Sequence, residues 1–147
     1  MIFLDTNIFL RHFVDAASAE EFAFQELATQ LFEAVERGDE TVTSTEVVIH
    51  EVCYLLFSKQ HYGVSAAETA AMVSSILSLP GFKLPKGEKQ IYLDALELFA
   101  ANPKLEFSDS VIAIRAHRLG IPLATFDRAL LKLPIVTPWQ PAGNGQT

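Results

Sequence analysis

Four acids stand at positions where chemistry could be built: Asp5, Glu51, Asp109 and Asp127. Asp5 follows the apolar run Ile2-Phe3-Leu4, and a second run, Ile8-Phe9-Leu10, follows Asp5-Thr6-Asn7. This pattern predicts a short, fully buried strand, a polar turn and a helix start. Ligands of open α/β sheets bind outside the carboxyl ends of the strands, so Asp5 is a candidate site residue. The competing reading is that Asp5 or Asn7 only caps the helix. Glu51 lies in a helix expected over 45–59, where its neighbours three and four residues away are Val47, Val48, Tyr54 and Leu55. That places its carboxylate on an apolar stripe, where it needs a cationic partner, a raised pKa or a metal ion. Asp109 opens the helix of Phe107-Ser-Asp-Ser-Val111, and Asp127 follows Ala124-Thr-Phe. Each could serve only as a first-turn acid or cap.

Taken together, three acids at strand ends or helix starts and a fourth on an inward-facing helix face point to convergence. Four carboxylates gathered without basic partners repel one another unless a hard divalent cation sits among them. All-oxygen ligation suits Mg²⁺ or Mn²⁺; structural zinc is excluded, since there is one cysteine and no suitable histidine spacing. His50-Glu51 does not begin a zinc-protease motif, because Tyr54 stands where the second histidine belongs. No glycine-rich phosphate loop is present.

The elements that must position these acids are short apolar strands alternating with amphipathic helices. Ser18-Ala-Glu-Glu21 and Ser65-Ala-Ala-Glu68 read as capping boxes opening helices that end at Gly38 and near Pro80-Gly81. Thr41-Val-Thr43 reads as a strand and Ser44 as the cap of the next helix. Helices are expected over 88–101 and 108–119, then a strand at 122–125, a short helix at 127–132 and a last strand at 135–136. The implied fold is α/β, a small parallel sheet flanked by helices on both faces in a three-layer α/β/α arrangement. One domain is expected over residues 1–140, with a flexible tail at 141–147.

Composition bounds the rest. The chain has 147 residues, half of them hydrophobic, and a formal charge of -7. The acids concentrate in residues 1–57, eleven against Arg11 and Arg37, whereas residues 58–147 hold seven acids against nine lysines and arginines. The C-terminal part is therefore mildly basic, and acids that bind cations overstate the repulsion toward nucleic acid. No apolar run approaches a membrane span, and no signal peptide is recognisable, so a cytoplasmic protein without membrane contact is expected. Cys53 sits in an apolar run and reads as a small hydrophobe.

The ordered set of motifs, a strand ending in Asp-Thr-Asn, a Glu inside the apolar helix of VTSTEVVIHEVCYLL, Phe-Ser-Asp-Ser-Val-Ile-Ala and Ala-Thr-Phe-Asp, resembles the PIN-domain family. The opening DTNIFLR and the size look most like its VapC-type toxin ribonucleases of toxin-antitoxin systems. The resemblance implies a PIN-like nuclease, with Asp5, Glu51, Asp109 and Asp127 as catalytic and metal-binding acids and Thr6, Asn7 and Thr125 as polar neighbours. It implies a metal-dependent endoribonuclease, a hydrolase using magnesium or manganese that leaves 5'-phosphate and 3'-hydroxyl ends. It also implies a homodimer held inactive by a small antitoxin that inserts a basic side chain among the acids. Arg11, Arg115, Arg118 and Arg128, with His12 and Lys132, could steer the RNA backbone. Tyr62 and Trp139 could stack bases, with packing the simpler expectation. An RNA-processing PIN nuclease without an antitoxin, or a non-catalytic interaction module on the same fold, stands as the alternative. A haloacid-dehalogenase-like phosphatase is disfavoured, because its second Asp is replaced by Asn7.

Overall fold

The structure is a computed structural model that describes residues 1–142. Two short strands, β1 (Ile2–Phe3) and β2 (Val42–Thr43), pair in parallel with Ile2 opposite Val42 and Phe3 opposite Thr43. Seven helices surround them: α1 (Thr6–Phe13), α2 (Ala19–Arg37), α3 (Glu46–Phe57), α4 (Ala66–Leu77), α5 (Glu88–Ala101), α6 (Phe107–Leu119) and α7 (Arg128–Leu131). The result is a mostly helical α/β fold with a small parallel sheet, as the alternation of apolar runs and helices implied.

Parallel pairing decides where the helices begin. Each strand runs directly into a helix, so α1 and α3 both start at the carboxyl end of the sheet. Ladder bonds from Ile2 N to Thr41 O and from Leu4 N to Thr43 O hold the strands at 2.9 Å. The buried Ser44 hydroxyl extends this seam by donating to Leu4 O at 3.0 Å. That use of Ser44 corrects its expected role as a cap; Thr45 caps α3 instead, accepting from Val48 N. On its other side β2 bridges to Phe82, where Val42 N donates to Gly81 O and Lys83 N to Val42 O.

The helix boundaries follow local chemistry closely. Ser18 accepts from Glu21 N and Ser65 from Glu68 N, which opens α2 and α4. Gly38 at φ 84 and Gly120 at φ 66 supply the left-handed turns that end α2 and α6. The main core joins residues from α1 through α6, with Phe9, Ile49, Leu56, Leu77, Phe82 and Leu96 fully buried. A second, smaller cluster gathers Leu105, Ala113, Leu130, Leu133 and Val136.

Two strand expectations need correction. The opening strand is not fully buried: Ile2 is 39% and Phe3 61% exposed, and only Leu4 lies in the core. Among the described residues β2 is the sole strand paired with β1, so β1 is an edge rather than a central strand. The segment expected as a strand at 122–125 makes one parallel bridge, from Leu123 to Pro138, and the strand expected at 135–136 does not form. Leu123 and Ile135 pack with Val136 on the smaller cluster, and Phe126 is wholly exposed. Of the tail expected at 141–147, residues from 143 onward lie outside the described region.

The tightest backbone approach lies at Gly81, where a methyl group would meet the Glu40 and Val35 carbonyl oxygens, the latter at 2.8 Å. Replacing Gly81 by Ala should therefore force the Phe82 bridge away from α2 and cost about 1–3 kcal/mol. Urea denaturation measures this; an unchanged midpoint would show that the junction yields freely.

Candidate functional site

The carboxyl end of the sheet, from which α1 and α3 start, gathers two of the four acids. Asp5 is exposed and caps α1, its Oδ1 accepting from Thr6 N at 2.7 Å. Thr6 is buried, and its hydroxyl donates to Glu51 Oε2 at 3.0 Å. One threonine thus orients both carboxylates, through its backbone toward Asp5 and through its side chain toward Glu51.

Glu51 reaches this position from an exposed face, which corrects the expectation of an apolar stripe. The neighbours that defined the stripe include Val47, 74% exposed, and Tyr54, 45% exposed. The buried face of α3 is Ile49, Val52, Cys53 and Leu56. With apolar residues on nearly every side of the helix, periodicity does not single out the inward face.

Asp109 and Asp127 sit at the starts of other helices and make local bonds there. Asp109, in the first turn of α6, accepts from Glu106 N at 3.0 Å. Asp127 caps α7, accepting from Ala129 N at 2.8 Å and Leu130 N at 3.2 Å. Thr125 steadies that turn by accepting from Asp127 N at 3.0 Å. Asn7 is exposed on the first turn of α1, in clefts it shares with Arg11. Among the described residues no three His, Cys, Asp or Glu side chains stand close enough together to hold a metal ion. The donor chemistry suits a hard divalent cation, but the placement assembles only the Asp5 and Glu51 part of it.

The basic residues are largely engaged elsewhere. Arg115 bridges Glu46 at 2.8 Å and Glu88 at 2.9 Å, and Arg118 pairs with Asp94. Arg11 pairs with Glu21 at 3.1 Å and lies over the Phe24 ring. Arg128 and Lys132, on the exposed side around α7, form no ion pair among the described residues. Burial lowers the pKa of His12, which shares a hydrogen bond with Thr29. Burial likewise pushes the Cys53 thiol up to about 12, so it behaves as the small hydrophobe expected. Tyr62 and Trp139 are both about half exposed.

Two side chains carry geometry that the sequence reading passed over. His50 Nε2 stands 3.8 Å from Glu106 Oε2, linking α3 to the start of α6 beside Glu51 and Asp109. The only sequence signal for Glu106 is its place just before the helix that Asp109 opens.

The PIN domain family model matches residues 2–136, so the chain belongs to the PIN domain family. PIN domains are generally nucleases, which makes a hydrolase the kind of activity this fold supports. No curated protein matches the chain. Among the described residues no helix is long and apolar enough to cross a membrane.

The Arg115 network makes a pH prediction. The hydrogen bond from Arg115, and after it that from Tyr92, holds the Glu88 carboxyl below its ordinary value of 4.5. A carboxyl with a depressed folded pKa adds stability above its unfolded pKa and loses it as pH falls through the folded one. Arg115→Met should therefore cost roughly 1 kcal/mol at neutral pH. The difference from wild type should shrink as pH falls below 4.5. Thermal melts of both proteins across pH check this, and a gap independent of pH would assign the loss to packing.

Proposed function

We propose that this PIN domain protein is a metal-dependent endoribonuclease acting in the cytoplasm as the toxin of a type II toxin-antitoxin pair. The single observation that carries the nuclease reading is the Asp5-Thr6-Glu51 linkage at the carboxyl end of the sheet, in a chain matched over residues 2–136.

The proposed cofactor is Mg²⁺ or Mn²⁺, with Asp5 and Glu51 as its first holders and Asp109 and Asp127 as the further carboxylates. Such an ion, when bound, neutralises charge on the scissile phosphate and lowers the pKa of a bound water. Thr6 is the positioning residue: its N–H and hydroxyl each fix one carboxylate oxygen, leaving the second oxygen of each acid for a ligand. Asp109 and Asp127 would have to exchange cap bonds to Glu106, Ala129 and Leu130 for the cation. Arg128 and Lys132 are the cations best placed to hold an RNA backbone, since the other arginines named here already serve carboxylates.

A homodimer and a small antitoxin are the proposed partners. A lysine or arginine of the antitoxin placed between Asp5 and Glu51 would occupy the same negative charge as the metal and so inhibit it. A second reading, a non-catalytic RNA or protein interaction module, is favoured by one observation: the acids do not form a group of three among the described residues.

Cleavage of an RNA pool in Mg²⁺ or Mn²⁺ separates these readings. Asp5→Asn and Glu51→Gln should abolish cleavage, and Thr6→Val should lower it about 10- to 100-fold, as loss of a ligand-orienting bond does. Manganese at a hundred times its dissociation constant should raise stability by about 2.7 kcal/mol in wild type and much less in Asp5→Asn. An unchanged melting curve with metal, together with no cleavage, would sink the catalytic reading in favour of the module.

A further inference from the structure

A cavity of about 280 Å³ lies between α3, the end of α5 and the segment from Pro103 to Phe107, and none of the four proposed acids lines it. His50, the chain neighbour of Glu51, lines it, as does Glu106, whose N–H is held by Asp109. Its wall is apolar and aromatic, with the Tyr54 and Phe57 rings, and Lys104 stands at its edge. The volume is near the lower limit for small-molecule sites, the size of one planar ring system rather than a whole cofactor.

The polar groups of this cavity are only partly matched: the Glu106 carboxylate accepts from Asp109 N in the capping box of α6, and among the described residues His50 Nδ1 is buried without a partner. His50 Nε2 and Glu106 Oε2 face one another at 3.8 Å, too far apart to bond directly, and both side chains are partly open to solvent. Lys104 forms no ion pair among the described residues. A carboxylate that accepts, beside a histidine N–H and a lysine that can donate, is complementary to a base edge offering two adjacent donors and one acceptor. Guanine does this with N1–H, the 2-amino group and O6; adenine, cytosine and uracil lack the paired donors. Unstacked RNA bases are bound in this way, on aromatic walls with hydrogen bonds to the Watson-Crick edge.

We propose that the cavity is a base-selective subsite that takes an unstacked guanine of single-stranded RNA, read by Glu106 with His50 or Lys104 on O6. Tyr54 supplies the stacking face; it is 45% exposed and its ring lies 6.5 Å from that of His50. Because His50 adjoins Glu51 in α3 and Glu106 bonds Asp109 at the start of α6, a guanine held here would lie beside the proposed acids and near the cleaved bond. The selectivity at cleavage rests on the nuclease reading above, whereas the binding does not.

The test has a binding arm and a cleavage arm. Isotope-labelled full-length protein is titrated with GMP, AMP, CMP and UMP and followed by amide chemical shifts. GMP should perturb residues 50, 54, 104 and 106 and bind most tightly. Glu106→Gln should weaken GMP about tenfold, the weight of one hydrogen bond to a charged group. Tyr54→Ala, on an exposed face, provides a second variant and should weaken all four nucleotides alike. Equal binding of the four nucleotides, shifts confined to other residues, or no binding would overturn the proposal. In the cleavage arm, a randomised RNA pool should show guanine enriched at one position beside the cut, and Glu106→Gln should erase the enrichment. Cleavage without base preference overturns the subsite while leaving the nuclease reading intact. GMP binding without any cleavage sinks the nuclease reading and leaves the subsite standing.

Discussion

The placement of Asp5 and Glu51 depends on the parallel pairing of β1 with β2. Two residues per strand give few ladder bonds, yet the direction of pairing matters more than their number. Parallel strands send their chains out at the same end of the sheet, and here both enter helices at once. The Ser44 hydroxyl locks the seam by bonding Leu4 O within the buried zone, just before both turns. The start of α1 and the second turn of α3 then lie within one hydrogen bond of each other, and Thr6 makes that bond.

A second constraint is the distribution of charge. The arginines of α1 and α6 pair with carboxylates of α2, α3 and α5. Arg115 ties three helices through Glu46 and Glu88, and Tyr92 completes the network by donating to Glu88 at 2.6 Å. These pairs fix the approach of α6 to α3, which forms the cavity between His50 and Glu106. They also remove Arg115 and Arg118 from easy use by a phosphate backbone, while Arg128 and Lys132 remain on the separate C-terminal cluster.

That cluster explains why the acids are only partly assembled. The Leu123–Pro138 bridge and the residues around α7 pack on Leu105 and Ala113 rather than beside β1. Asp127 is therefore positioned by its own helix start, and the outer edge of β1 carries no strand among the described residues.

Much of the fold was legible in the sequence because its signals are local. Serine caps with an acid three residues on, glycines at left-handed helix ends and the run lengths of apolar residues specify α2, α4, α5 and α6 almost to the residue. The family was legible for a related reason, since four short motifs in order depend only on neighbours along the chain. What failed were statements about burial and sheet order. Val47, Glu51 and Tyr54 share a helix face whose exposure depends on what packs against the rest of α3, and an apolar helix carries no periodic mark of its outer side. Ile2-Phe3 reads as a buried strand whether it lies in the centre of a sheet or at its edge, because its own residues do not encode the missing neighbour. The sequence by itself determined which residues can cap, ligate and pack. Only the tertiary structure decided that Thr6 joins Asp5 to Glu51, that the arginines pair inward and that His50 faces Glu106, since each is a contact between segments far apart in the chain.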